Sequence, residues 1–588
     1  MRKRHRWRKC VEACDGAEGE AAGFARGSAC GLEPPSQVGG SQGSGRALTT
    51  ERFLRTLLLP IAAAGILGAS MPETRFAVAL PVGWSGDASG RLLMFLEPKT
   101  SGNERSDIVD VGNPDGPPVF VAARDLGSFG ENRTVLVDAG ETVIPHGIAE
   151  LPPGLYRVQA VLDRDGSYSY GGRGPGDLVS KVLTVRLPLE SAPSLVLSDV
   201  LPPEPAQFDV TGLPPRAAEQ ILSSQPHLHE ERIASPLLTA FSGCKQTIAA
   251  WVLTPPGYDP QARRTYPTVF TAGGFGATHK LDGQQLSRQW HLMEAGEIPP
   301  MIWVALDYGR PTGTTEFADS VNNGPWGKAF TADVLPALEA RYKMDARPSG
   351  RFLTGHSSGG WFALWTMVRN PTLFGGAWAS SPDPVDFHDF LGVDLYAKRA
   401  NMYRDASGAF RPMERRHGNV RTTVEQGAAL EQVLGRTGGQ LSSFEWVFSP
   451  RGADGRPDPL FDRGTGEVDP QVAAYWTEHF DLSRIVAGEW RGLKKHLDGK
   501  LHVSVGDADS YYLDGPVRRL EAAVRSVGGH ADFTYVPGAT HSMGEVYARG
   551  GDRNALWKEM TSEMYSVARP RSVTGRAASS PSKALERR

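Results

Sequence analysis

Arg351-Phe352-Leu353-Thr354-Gly355-His356-Ser357-Ser358-Gly359-Gly360-Trp361 reads as a buried strand, a sharp turn, and a helix that opens at two glycines. The turn carries a G-x-S-x-G pattern with Ser357 at its apex. A serine held on a strained strand-to-helix turn has its hydroxyl exposed, and small residues two before and two after it avoid backbone clashes. The amide of Ser358, at the start of the helix, then points where charge on an oxyanion would form. The pattern alone is weak, because a chain with 68 glycines gives roughly half a match by chance. Gly39-Gly40-Ser41-Gln42-Gly43 also fits, but no strand precedes it and no helix follows. After Ser357 the run Trp361–Val368 is apolar nearly all round, as a buried helix is, and Pro371 ends it.

The 588 residues can bury several cores; length alone suggests about four domains. A net charge of −3 gives no reason to expect nucleic acid or an anionic membrane as partner. Hydrophobic content of 40% with 9% aromatics is that of a soluble globular protein. Three of the four cysteines (Cys10, Cys14, Cys30) lie in the N-terminal tail and Cys244 stands alone, so neither a disulfide framework nor a Cys-x-x-Cys metal site is present. Residues 1–50 open on a basic cluster and continue in Gly, Ser, Ala and Glu, which predicts a disordered or wrongly assigned extension. In residues 51–70, arginines, a short apolar run and then small residues form a secretory signal pattern, too short to span a bilayer. No cysteine follows it, so no lipoprotein anchor is expected. The chain is expected in the periplasm or medium, or in the cytoplasm if translation starts at Met71.

Residues 73–201 have an all-β texture. Tyr156, Val158, Ala160 and Leu162 alternate with Arg157, Gln159, Val161 and Asp163, and Gly, Pro, Asp and Asn clusters punctuate the strands as in a β-sandwich. No titratable cluster that would carry chemistry is legible there, and a packing domain is favoured over a binding module. Residues 202–232 open on a proline-rich stretch and read as a stiff linker. His227 and His229 within it lack a third metal ligand nearby. From 233 to 568 the rhythm is strand, helix, strand: 248–254, 268–271 and 301–306, a helix 327–342 weakened by Pro336, the Ser357 turn, then 376–379, 501–505, a helix 517–527 and 533–536. Such alternation predicts a parallel α/β sheet with helices on both faces. Residues 569–588 read as a disordered tail.

A serine hydroxyl is a poor nucleophile unless a base takes its proton, and the base needs an acid to fix its tautomer. With a serine at such an elbow, the acid and then the base follow on loops after later strands. Asp507 and Asp509 sit at the end of strand 501–505, and His541 sits just past strand 533–536. His356 beside the nucleophile is expected to pack inward. The second oxyanion donor should come from Gly273-Gly274-Phe275-Gly276 after strand 268–271, from the amide of Phe275 first and Gly274 second.

Residues 264–543 resemble the esterase D or enterochelin-esterase-like branch of the α/β-hydrolases. The resemblance rests on Gly273-Gly274-Phe275-Gly276, Asn322-Asn323-Gly324-Pro325-Trp326-Gly327, Leu353 to Trp361, Gly506-x-x-Asp509 and Pro537-Gly538-x-x-His541. The G-x-x-D spacing of that branch implies Asp509 as the acid. The resemblance also implies ester hydrolysis or, as in mycolyltransferases, acyl transfer, with no cofactor and no metal. Two departures stand out: Gly273-Gly274 replaces the usual His-Gly opening, and roughly a hundred residues (384–495) are inserted between nucleophile and acid. That insertion includes a helical stretch, 472–487, and is a candidate lid.

The expected architecture is therefore α/β: an α/β-hydrolase domain preceded by a β-sandwich-like domain. The expected site is Ser357, Asp509 and His541 with the amides of Ser358, Phe275 and Gly274. The expected activity is that of an exported serine esterase acting on a small-molecule or glycan-linked ester, without nucleic acid or a stable membrane anchor. Its alternatives are an acyltransferase and a non-catalytic binding protein that keeps the fold. Neither the acyl group nor the oligomeric state is legible.

Overall fold

A computed structural model describes residues 75–570, apart from 87, 105, 112–117, 130–132, 139–141, 146–149, 204–207, 209, 212 and 417. The expectations for residues 1–70 and for most of the C-terminal tail lie outside the described residues.

The continuous apolar run at Ile302–Leu306 is buried at every position and lies inside an eight-stranded sheet. The strands run, in spatial order, Leu228–Ala234, Thr247–Leu253, Ile302–Leu306, Thr268–Ala272, Arg351–His356, Gly376–Ser380, Leu501–Gly506 and Asp532–Val536. Thr247–Leu253 is antiparallel to both its neighbours and the remaining pairs are parallel. One antiparallel strand, parallel crossovers and a serine elbow after the fifth strand make an α/β-hydrolase sheet. The helix Ser358–Arg369, buried from Ser358 to Val368, packs across the sheet centre.

The helix expected at 327–342 is built in three parts: Trp326–Ala329, a π turn at Phe330–Val334, and Leu335–Arg341. Pro336 has no N–H to give the helical ladder, and the chain widens by one residue just ahead of it. Two expectations are corrected. The linker 202–232 holds a helix, Pro215–Ser224, and the edge strand that begins at Leu228, so the hydrolase sheet starts before 233. Pro215 takes the first helical turn, where a missing N–H costs nothing. The helix expected over 472–487 is two helices, Pro470–His479 and Leu482–Leu497, because Asp481 caps the second by accepting from the Arg484 amide at 2.9 Å.

The N-terminal β segment holds a three-stranded sheet and a seven-stranded sheet. Phe76 and Val78 from the first meet Leu92, Met94, Leu96, Val158, Ala160 and Leu162 from the second in one core. Arg157, Gln159 and Asp163, which alternate with the apolar positions of their strand, are buried as well. Their partners come from the β segment itself: Arg157 pairs with Glu97, Gln159 accepts from the Val109 amide at 2.9 Å and donates to the Ser180 carbonyl at 2.8 Å, and Asp163 accepts from the amides of Gly166 and Tyr168. The other face of the large sheet, through Leu93, Phe95, Val121 and Val161, is covered by Val433 and Leu434 from the insertion helix Val424–Leu434. Arg91 tightens this contact by donating to the carbonyls of Val433 and Gln432, each at 2.8 Å. The β segment and the hydrolase sheet thus belong to one compact unit.

Candidate active site

The elbow glycines are required by contact. A Cβ on Gly355 would lie 2.1 Å from the Gly359 carbonyl oxygen, and one on Gly359 would lie 2.2 Å from the Ala272 carbonyl oxygen. Both obstacles are backbone and cannot rotate aside. Gly359→Ala should therefore destabilise the fold by about 3 kcal/mol, read as a lowered midpoint in urea with unchanged slope. With the turn closed this tightly, Ser357 is held at φ 58° and ψ −125°, a strained conformation for a residue with a side chain.

His541 and Asp509 meet as the mechanism needs: His541 Nδ1 is 2.9 Å from Asp509 Oδ2. Asp509 is fully buried. Burial pushes its carboxyl up, but the bond and charge of His541, with the Tyr511 amide and the Ser381 hydroxyl, outweigh this and leave it below the ordinary carboxylate value. Asp507 is exposed and accepts from the Gly538 amide at 2.6 Å. Through that bond Asp507 ties its own strand to the loop that carries His541.

His356 has a larger part than inward packing. Its Nε2 lies 2.9 Å from the carbonyl oxygen of His541 and its Nδ1 lies 2.8 Å from Ser380 Oγ. Burial, then the neighbouring His541, pull its pKa down from 6.5 to about 3, so the ring is neutral. The carbonyl can only accept, so Nε2 carries the proton and Nδ1 accepts from Ser380. The ring thereby holds the His541 backbone in place. Between those two pKa values the unfolded chain binds a proton that the folded chain refuses, so stability falls as pH drops below about 6.5. Melting temperature against pH should fall more steeply for the wild type than for His356→Gln over pH 6.5 to 4; parallel curves would refute the assignment.

Sequence reasoning missed Asp383. It sits in Ser381-Pro382-Asp383-Pro384, directly after the strand Gly376–Ser380, and is 2% exposed. Ser357 Oγ donates to its Oδ1 at 3.3 Å and Ser358 Oγ to its Oδ2 at 2.6 Å. Ser357 and His541 form no hydrogen bond with each other in this state. Burial pushes Asp383 above the ordinary carboxylate value; it does the same to buried Glu316, where the charge of Asp383 adds to the effect. The available signal was an aspartate between two prolines, three residues beyond the strand that follows the elbow.

The loop Gly273–Ala277 lies against the nucleophile. A Cβ on Gly274 would stand 3.4 Å from Ser357 Cβ. Tyr308 donates its hydroxyl to the Gly273 carbonyl, and the Ala277 amide donates to the Gly274 carbonyl at 3.1 Å. In a trans peptide the N–H opposes the C=O, so the amides of Gly274 and Phe275 are turned away from those two bonds. Neither amide is paired within the loop among the described residues.

The insertion walls the site. Leu391, Met413, Gln440, Leu441 and Phe444 enclose, with Ser357 and Asp383, a cavity of about 20 Å³. Among the described residues one carboxylate trio, Asp163, Asp165 and Asp177, has oxygens within 4.8 Å of one another, in the β segment where no titratable cluster was foreseen. These groups accept from the amides of Gly166, Ser167, Gly174 and Arg164, and so fix the turns around them.

The sheet order and the elbow define an α/β-hydrolase. Residues 242–559 match the family described as "Putative esterase", and the chain belongs to that family. Similar solved structures include a ferulic acid esterase at 15% identity, covering 58% of this chain and 97% of that one, with a TM-score of 0.34. A mutant feruloyl esterase module from Clostridium thermocellum complexed with sinapinate is 15% identical over 56% of this chain and 87% of its own, with a TM-score of 0.32. An S-formylglutathione hydrolase from Agrobacterium tumefaciens is 15% identical over 58% of this chain and 94% of its own, with a TM-score of 0.31. No curated protein matches the chain.

Proposed function

We propose that this member of an esterase family is an exported serine hydrolase, of the esterase D or enterochelin-esterase-like branch, that cleaves carboxylic esters through an acyl-enzyme on Ser357. The single observation that carries the reading is the buried Asp509 bonded to His541 Nδ1 beside a serine at positive φ. That bond leaves His541 Nε2 as the free base. A rotation of the Ser357 side chain moves its hydroxyl from Asp383 to Nε2, which takes the proton as Oγ attacks the ester carbonyl. The oxyanion meets the amide of Ser358 and that of Phe275, with Gly274 beside it. His541 then protonates the leaving alcohol, and water repeats the sequence to release the acid. Acyl transfer to a second alcohol uses the same steps, but no observation favours it over water.

The insertion sets the apolar side chains of Leu391, Met413, Leu441 and Phe444 close around Ser357, which favours a short acyl chain. Export is supported by the signal pattern of residues 51–70. An aryl ester series from acetate to octanoate, run with a fluorophosphonate probe, tests the reading. Turnover should be highest on acetate, and one label should map to Ser357. Absence of turnover across the series together with absence of labelling would refute it.

A further inference from the structure

We infer that the β-rich N-terminal segment is a working part of the active site, and that Tyr170 is the positioning residue for the loop that supplies the second oxyanion donor. The inference rests on the serine-esterase reading above. Tyr170 belongs to the short helix Tyr168–Gly171, just past the strand Gly154–Asp163 of the β segment. Its ring meets Phe275 edge-to-face with centroids 5.2 Å apart, and its hydroxyl donates to the Ala277 carbonyl at 3.3 Å. The Gly276 amide faces the same phenol oxygen, and Gly276 itself turns at φ +76°. Burial, then the carboxylates of Asp307, Asp282 and Glu316, push the phenol pKa up, so the group remains a donor. Three consecutive residues of the loop are thus touched by one side chain from the β segment's short helix.

That side chain is itself fixed from both ends. On the β side, Tyr168 stacks on Phe95 at 5.5 Å and donates its hydroxyl to Asp110, and Asp163 accepts from the amides of Gly166 at 2.9 Å and Tyr168 at 3.3 Å. On the insertion side, Gly438 turns at φ +87°, and a Cβ there would lie 3.2 Å from Tyr170 Cβ. A Cβ on Gly309 would reach the Tyr170 ring at 3.0 Å. The loop Gly273–Ala277 has a second hold in Tyr308, which fixes the Gly273 carbonyl from within the hydrolase sheet. Tyr308 secures the entry to the loop and Tyr170 its tip. Oxyanion donors help only when they are already aimed at the developing charge, so loosening the tip should weaken the transition state more than the ground state.

The test compares the full chain with Tyr170→Phe, Tyr170→Leu and Tyr170→Ala, each normalised by fluorophosphonate titration of active sites. Tyr170→Leu and Tyr170→Ala should lower kcat on an aryl acetate by about 10- to 100-fold with KM within about threefold. Binding of an aryl trifluoromethyl ketone, whose adduct carries an oxyanion, should weaken by the same factor. Tyr170→Phe keeps the ring but loses the bond to Ala277, and should lose about two- to fivefold in both kcat and ketone affinity, a partial rescue of the larger loss. A well-folded Tyr170→Leu with wild-type kcat and ketone affinity would overturn the inference, as would a loss confined to melting temperature. If neither Tyr170→Leu nor Tyr170→Ala folds, Tyr170→Phe decides: unchanged kcat and ketone affinity overturn the inference, and a parallel loss in both supports it. A wild-type chain with neither turnover nor labelling would overturn the esterase reading itself. A wild-type chain with both, matched by Tyr170→Leu, would overturn only the role of Tyr170.

Discussion

Ser357→Ala should lower kcat by about four or more orders of magnitude while leaving the melting temperature close to that of the wild type. The hydroxyl is small and its one bond is a 3.3 Å contact with Asp383, so its removal costs little folding energy. The chemistry loses its only attacking atom. What survives is the water reaction assisted by the oxyanion amides. The fluorophosphonate label should vanish in the same variant. Retained labelling, or turnover within about a hundredfold of wild type, would move the nucleophile elsewhere.

Asp509→Asn should cut kcat by roughly ten-thousandfold at neutral pH, with KM and fold preserved. An amide can donate to His541 Nδ1, which would hold the ring in the tautomer whose Nε2 carries a proton and cannot act as base. It also removes the charge that stabilises the imidazolium after proton transfer. The carboxyl oxygens of Asp509 additionally accept from the Tyr511 amide at 2.9 Å and the Leu513 amide at 3.4 Å, and asparagine can keep those bonds with its carbonyl. Asp507→Asn should retain most of the turnover and lose no more than about 1 kcal/mol of stability, because the asparagine carbonyl can still accept from the Gly538 amide and only the charge on that bond is lost. An inactive, well-folded Asp507→Asn beside an active Asp509→Asn would reverse the assignment.

Much of this was legible because it is local. The elbow is a run of eleven residues whose glycines, serine and flanking apolar stretch each answer a short-range steric demand. The strand positions followed from continuous apolar runs such as Ile302–Leu306, and the order nucleophile, acid, base followed from where loops leave a parallel sheet. Bare chemistry did not separate Asp507 from Asp509, which lie two residues apart at the same strand end. The fold separates them by turning one into the core and the other to solvent.

The sequence by itself determined the hydrolase sheet and the elbow at Ser357, and it pointed to the loops that carry the candidate acid, base and oxyanion donors. These depend on periodicity and on residues adjacent in the chain. Only the tertiary structure decided where the β-rich segment packs. Arg157 and Gln159 sit in an alternating strand, yet both are buried against partners far along the chain, Glu97 for the first and the Val109 amide for the second. Val433 and Leu434 cover the apolar residues of the same sheet from more than 250 positions away. Asp383 and Tyr170 reach the site in the same way. Asp383 has only its flanking prolines as a local sign and Tyr170 has none, because the partners that give each its role, Ser357 and the Gly273–Ala277 loop, are brought to it by long-range packing. Alternation records the chemistry of a residue's own strand, whereas burial is set by whatever the rest of the chain lays over it.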